Sequence, residues 1–97
     1  MPAYLIAVLD VVDAAAFEEY ARAVPAVVAA HGGRYLARGG HSEVFEGPAA
    51  EGRRVVVVEF PSVDAARRYY TSAEYTAVRA LRDGAATGSL LITEGMP

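Results

Sequence analysis

Arg38 is the most chemically informative residue of the sequence. It interrupts a stretch that otherwise reads as a half-buried strand, and Gly39, Gly40 and His41 follow it directly. A planar, permanently charged guanidinium can hold a carboxylate or an enolate. Two adjacent glycines carry no side chain to obstruct a ligand approaching it. The bland alternative is a cross-strand ion pair with Glu59 or Glu46, since structural pairs occupy such places as often as functional ones. His41 is either a surface residue or one re-aimed toward a pocket by a bulge at the glycines. His31, near the end of the first expected helix, either moves a proton or simply favours the negative helix terminus. Glu59, beside Phe60, is a candidate general base or the partner of Arg38. Tyr20, Tyr69, Tyr70 and Tyr75 form an aromatic, hydroxyl-bearing set. Tyrosines at helical spacing are more often core than catalytic. The expected constellation has Arg38, His41, His31 and Glu59 as catalytic candidates, with Tyr20, Gly39, Gly40, Tyr70 and Tyr75 around the ligand.

Much chemistry is absent from the composition. All nine cationic residues are arginine and there is no cysteine. Schiff-base chemistry, thiol catalysis and thiolate metal sites are therefore excluded. Two histidines with Glu43 or Glu59 match no metal-ligand spacing, so no metal is expected. No phosphate loop, GxGxxG, GxSxG or HExxH occurs, and no cofactor is expected. The formal net charge of −3 argues against a nucleic-acid partner. The longest apolar run, Ala3 to Leu9, is too short to cross a bilayer. The chain reads as soluble and cytoplasmic.

The elements that must position these residues follow from periodicity. Ala3 to Val11 reads as a strand. Asp13 is placed to cap a helix over Ala14 to His31, whose apolar face is Phe17, Tyr20, Ala21, Val24 and Val28. Gly32-Gly33 ends that helix, and Pro25 inside it predicts a kink that opens space above the sheet. Arg34 to Glu46 reads as a second strand, bulged at Gly39-Gly40, and Gly47 to Gly52 as a loop. Arg53 to Phe60 is the strongest strand. Ser62 caps a short helix over Asp64 to Tyr70, Ser72 restarts helix, and Ser89 to Glu94 is the last strand. Val12-Asp13-Ala14-Ala15 recurs as Val63-Asp64-Ala65-Ala66, each time between a strand and a helix. Two such halves predict an α+β, ferredoxin-like βαββαβ sandwich over residues 1–97, a single domain with an antiparallel sheet in the order 4-1-3-2.

The strands expected in the middle are apolar on both faces, whereas a half-exposed antiparallel sheet should alternate. Helices cover only one face. A chain of 97 residues buries only ~60–65% of its unfolded surface, so a second copy is the economical cover for the other. A homodimer through the open sheet face is expected. A small-molecule pocket should lie between helices and sheet, beside Arg38 and walled by tyrosines.

Four stretches carry a family resemblance: Tyr20 with Ala23-Val24-Pro25; His31-Gly32-Gly33-Arg34-Tyr35 running into Ala37-Arg38-Gly39-Gly40; Val58-Glu59-Phe60-Pro61-Ser62; and Tyr70-Thr71-Ser72-Ala73-Glu74-Tyr75. Over nearly its full length the chain resembles the DUF1330 family of bacterial proteins, of the dimeric α/β-barrel superfamily. Where that family usually has proline this chain has Ala73. The resemblance implies a dimeric α/β barrel. It also implies kinship with cofactor-free monooxygenases, muconolactone-type isomerases and polyketide cyclases. The function expected is binding of a small aromatic or carboxylate-bearing metabolite by a cofactor-independent enzyme; the alternative is a non-catalytic binding or accessory dimer.

Overall fold

A computed structural model describes residues 1–48 and 53–97. The order is β1 (Ala3–Val11), α1 (Ala14–Ala30), β2 (Arg34–Arg38), β3 (Arg54–Phe60), α2 (Val63–Thr71), α3 (Ala73–Arg79), a short 3-10 turn (Ala80–Arg82) and β4 (Ala86–Glu94). The four strands form one sheet in the order β2-β3-β1-β4, with every neighbouring pair antiparallel. The two central strands are those with apolar residues on both faces, as the sequence indicates. Among the described residues no helix is long and apolar enough to cross a membrane.

Side-chain caps set the helix starts. The Asp13 carboxylate accepts the Ala16 amide at 3.1 Å, and the Ser62 hydroxyl accepts that of Ala65 at 3.0 Å. Ser72 serves two helices at once: its hydroxyl donates to the Tyr69 carbonyl at 2.7 Å, closing α2, and accepts the Tyr75 amide at 3.1 Å, opening α3. At the end of α1 the chain turns at Gly32, with φ +78°, and the Gly33 amide returns to the Val28 carbonyl at 3.0 Å.

Alternation along the strands sorts the sheet into two faces. Ala3, Leu5, Ala7 and Leu9 of β1 and Val58 and Phe60 of β3 are buried toward the helices. There all of them except Ala3 join a core with Phe17, Tyr20, Val24 and Val28 of α1 and Ala66, Tyr69 and Tyr75 of α2 and α3. The alternate positions, Tyr4, Ile6, Val8, Val55 and Val57, lie on the face without helices and are half-buried by one another, and Leu91 beside them is 49% exposed.

Two expectations need correction. β2 stops at Arg38 instead of running to Glu46, because Gly39 leaves the extended region at φ +72°; its amide makes a last bond to the Val55 carbonyl at 2.9 Å. The irregularity in β2 falls between Tyr35 and Ala37, making Leu36 the extra residue, and not at Gly39-Gly40. Helix α1 runs unbroken from Ala14 to Ala30 with Pro25 inside it. The loop expected over Gly47 to Gly52 has its last four residues, 49–52, outside the described residues.

Candidate functional site

A cavity lies between α1 and the helix-side face of the sheet. Its floor is Leu5, Ala7 and Leu9 of β1, with Val56 and Val58 of β3 and Leu90 of β4 beside them. Its roof is Phe17, Tyr20, Ala21, Val24 and Val28 of α1, and Tyr35, Arg38, Arg54 and Tyr69 complete the wall. The space open to the centre of a water-sized sphere is ≈ 40 Å³, room for about two or three waters. Two wider, shallower hollows adjoin it through shared arginines. One is bordered by Glu18, Ala21, Arg22, Pro25, Arg38 and Arg54, the other by Val11, Ala14, Phe17, Glu18, Gly39, Gly40, His41, Ser42, Arg53 and Arg54. An apolar slot of this size with cationic groups at its mouth suits a ligand whose anionic end meets the arginines and whose apolar body only partly enters the slot.

The bulge at Leu36 explains why Arg38 reaches this place. In a regular strand Arg34 and Arg38 would share a face. One extra residue between them reverses the alternation, so Arg34 pairs with Glu59 on the open face while Arg38 pairs with Val56 on the helix side. The Arg38 guanidinium lies over the Tyr35 ring, 4.9 Å from its centre, and its Nη2 donates to the Ala21 backbone carbonyl.

Arg54 is the second cation and was not singled out from the sequence. Its guanidinium stands over the Phe17 ring at 5.3 Å. Gly39 makes room for it: a Cβ there would lie 2.7 Å from Arg54 Nη1 and 2.8 Å from Cζ. The space beside Gly39 therefore admits a side chain of this protein, where the sequence suggested a ligand. Neither Arg38 nor Arg54 has a carboxylate within 4.0 Å among the described residues. The expected partner of Arg38 is taken: Glu59 Oε1 accepts from Arg34 Nε at 2.7 Å.

Below the arginines the wall is aromatic. The Tyr20 and Tyr75 hydroxyls are 2.9 Å apart in the core, and the Tyr69 ring stacks on that of Tyr75 at 4.6 Å. Burial, with Tyr75 adding to it, raises the Tyr20 hydroxyl far above the ordinary tyrosine range. Burial does the same for Tyr69. Tyr35 is also raised by burial, against the opposing pull of Arg38. These hydroxyls stay neutral and can donate hydrogen bonds.

The remaining candidates are dispersed. Tyr20 borders the cavity, whereas Tyr75 lies behind it and Tyr70 stacks on Tyr75 at 5.3 Å. Gly39, Gly40 and His41 border the neighbouring hollow, where His41 is exposed and its Nε2 lies 3.3 Å from Glu43. His31 caps the end of α1. Its Nδ1 is 3.0 Å from the Val27 carbonyl and its Nε2 is 3.5 Å from Glu74, away from the cavity. Glu59 projects from the opposite face of the sheet. Among the described residues no three His, Asp or Glu side chains gather as metal ligands.

Residues 2–96 match the family model described as "Domain of unknown function (DUF1330)". The chain belongs to the DUF1330 family. Among proteins with curated descriptions, none matches it in sequence. Solved structures similar to this DUF1330 chain include these three. A protein of unknown function from Rhodopseudomonas palustris is 21% identical, with a TM-score of 0.78 over 99% of this chain and 83% of that one. SnoaB of Streptomyces nogalater, described as a cofactor-independent oxygenase, is 15% identical, with a TM-score of 0.67 over 99% and 94%. A protein from Bacteroides fragilis, described as dimeric with a ferredoxin-like fold, is 14% identical, with a TM-score of 0.66 over 97% and 96%. At these identities the likeness is one of fold.

Proposed function

We propose that this protein is a homodimer, paired through its open sheet face as a dimeric α/β barrel, that binds a small aromatic or carboxylate-bearing metabolite and acts on it without a cofactor. The observation that carries the reading is the apolar cavity whose mouth holds two guanidiniums without carboxylate partners among the described residues. Arg38 and Arg54 would hold the anionic end of the ligand, and would stabilise an enolate more strongly than its keto form, because the negative charge develops where they stand. That is a contribution to isomerase, cyclase or oxygenase chemistry alike. The tyrosine hydroxyls would orient the ligand, and His41, which borders the hollow shared with Arg54, would be the histidine to move a proton. SnoaB lends this reading an analogy of fold. Pairing is supported by the apolar row of Tyr4, Ile6, Val8, Val55, Val57 and Leu91, which no described helix of this chain covers.

A second reading is favoured by one observation. The described residues lining the cavity include no histidine, aspartate or glutamate, and their tyrosines are held neutral. Such a cavity can bind and polarise but supplies no base of its own, which suits a metabolite-binding or accessory dimer. Calorimetry with matched aromatic carboxylates and amides tests the shared premise: the carboxylates should bind and the amides should not. Turnover of a bound carboxylate or enol, followed by oxygen uptake and by product analysis, then separates enzyme from binder. Wild-type protein that binds no aromatic carboxylate overturns the enzyme and metabolite-binding readings and leaves the accessory dimer.

A further inference from the structure

We propose that Pro25 is a positioning residue for Arg38: it frees a backbone carbonyl of α1 that holds the guanidinium at the cavity mouth without neutralising it. The proposal rests on the reading of the cavity as a carboxylate site and adds how its cation is kept in place.

Within an α-helix the amide of each residue bonds the carbonyl four residues earlier. The residue whose carbonyl would be served from position 25 is Ala21. Proline has no amide hydrogen, and its ring crowds that same carbonyl, so the acceptor of Ala21 is left open in the middle of a helix that otherwise continues to Ala30. That is the carbonyl to which Arg38 Nη2 donates. Pro25 and Arg38 border the same hollow, with Ala21 between them.

The choice of anchor has a chemical consequence. A carboxylate partner would fix the guanidinium equally well, but it would cancel the charge and compete with any anionic ligand. A carbonyl fixes it and leaves the full positive charge in place. The Tyr35 ring beneath, 4.9 Å from Arg38 Cζ, supplies a second point of contact without a countercharge. Of the five N–H groups of the side chain, one is spent on Ala21 and the others make no hydrogen bond among the described residues. The pairing joins two parts of the sequence, the middle of α1 and the end of β2, that neither helical nor strand periodicity connects.

The decisive experiment is a double-mutant cycle with Pro25→Ala, Arg38→Met and the double variant, read by urea unfolding and by calorimetry with benzoate and benzamide. With Pro25 present, Arg38→Met should lower the folding equilibrium constant by roughly three- to tenfold, the effect of losing a charge-assisted bond at an exposed site. In the Pro25→Ala background, where the restored amide reoccupies the Ala21 carbonyl, the same substitution should change it less than about twofold. Pro25→Ala alone should weaken benzoate binding about three- to tenfold and leave benzamide unchanged, because the loosened guanidinium matters only to the anion. Additive unfolding effects overturn the proposal. So does benzoate affinity untouched by Pro25→Ala but lost in Arg38→Met. If the wild type binds neither probe, the carboxylate reading of the cavity falls, and the unfolding cycle by itself still decides whether Pro25 holds Arg38.

Discussion

Arg34 and Arg38 stand at the two ends of one five-residue strand, yet their surroundings differ in kind. Arg34 projects from the open face and meets Glu59 at 2.7 Å. Arg38 projects from the helix face, where its contacts are a carbonyl and an aromatic ring. The same side chain is thus neutralised on one face and left charged on the other. The difference comes from Leu36, which shifts the strand by one residue between them. It teaches that the faces of this sheet are specialised. The helix side is closed and carries the cavity. The open side is apolar at its centre, with its one described ion pair toward the edge strand.

The largest test of that division is Phe60→Ala. Phe60 is fully buried on the helix side, and its truncation should cost about 3–5 kcal/mol in urea unfolding at a fixed protein concentration, with the dimer retained. The open face should respond differently. Val57→Asp puts a charge in the middle of the proposed pairing surface and should cost a few kcal/mol, expressed as dissociation. Sedimentation should show a wild-type dimer and a variant monomer; a wild type that is monomeric and stable at micromolar concentration breaks the comparison.

Gly39→Ala comes next, at about 1–2 kcal/mol of unfolding free energy, because the residue sits at φ +72° and its new methyl meets the Arg54 guanidinium. Arg54→Met in the same background should recover part of that loss, which separates the clash from the backbone strain. Arg38→Met should weaken aromatic carboxylates about tenfold or more and their amides little, as expected when a charge-assisted bond is removed. Arg34→Met is the paired control. Its ion pair is largely exposed on the arginine side, so stability should change by less than about 1 kcal/mol and carboxylate affinity not at all. Equal losses of binding from both arginines would erase the distinction drawn between the faces.

The architecture is largely legible in the sequence. Asp13, Ser62 and Ser72 announce their helices, because a side-chain cap is a local event written within four residues. The central places of β1 and β3 follow from their two-sided apolar composition. The candidate cavity is legible in outline: Arg38 and Tyr20 border it, and it lies between helix and sheet. What escaped depended on long-range register. Nothing local marks Leu36 as a bulge, since the irregularity exists only in the pairing of β2 with β3. Gly39 and Gly40 drew attention to the right segment for a reason that misplaced the irregularity. Arg54 read as the polar start of a valine-rich strand, although its alternation with Val56, Val58 and Phe60 puts it on the helix face. Glu59 has the opposite parity, and the same count of alternation would have removed it from the pocket and set it beside Arg34.

The cavity floor carries one more consequence. Ala7 sits between Leu5 and Leu9 on β1, opposite Val56 on one neighbour and Leu90 on the other, and Ala21 lies in the roof above. Depth is therefore written in alanine side chains inside the sandwich, while charge is written in arginines at the rim. Arg38 donates to the backbone carbonyl of Ala21, which a change of its side chain would keep. A valine at position 7 would shorten the slot and leave the rim untouched; a glycine at position 21 would deepen it in the same way. On the proposed reading, the length and the charge of the ligand would be separate dials, since slot depth and rim charge rest on different residues.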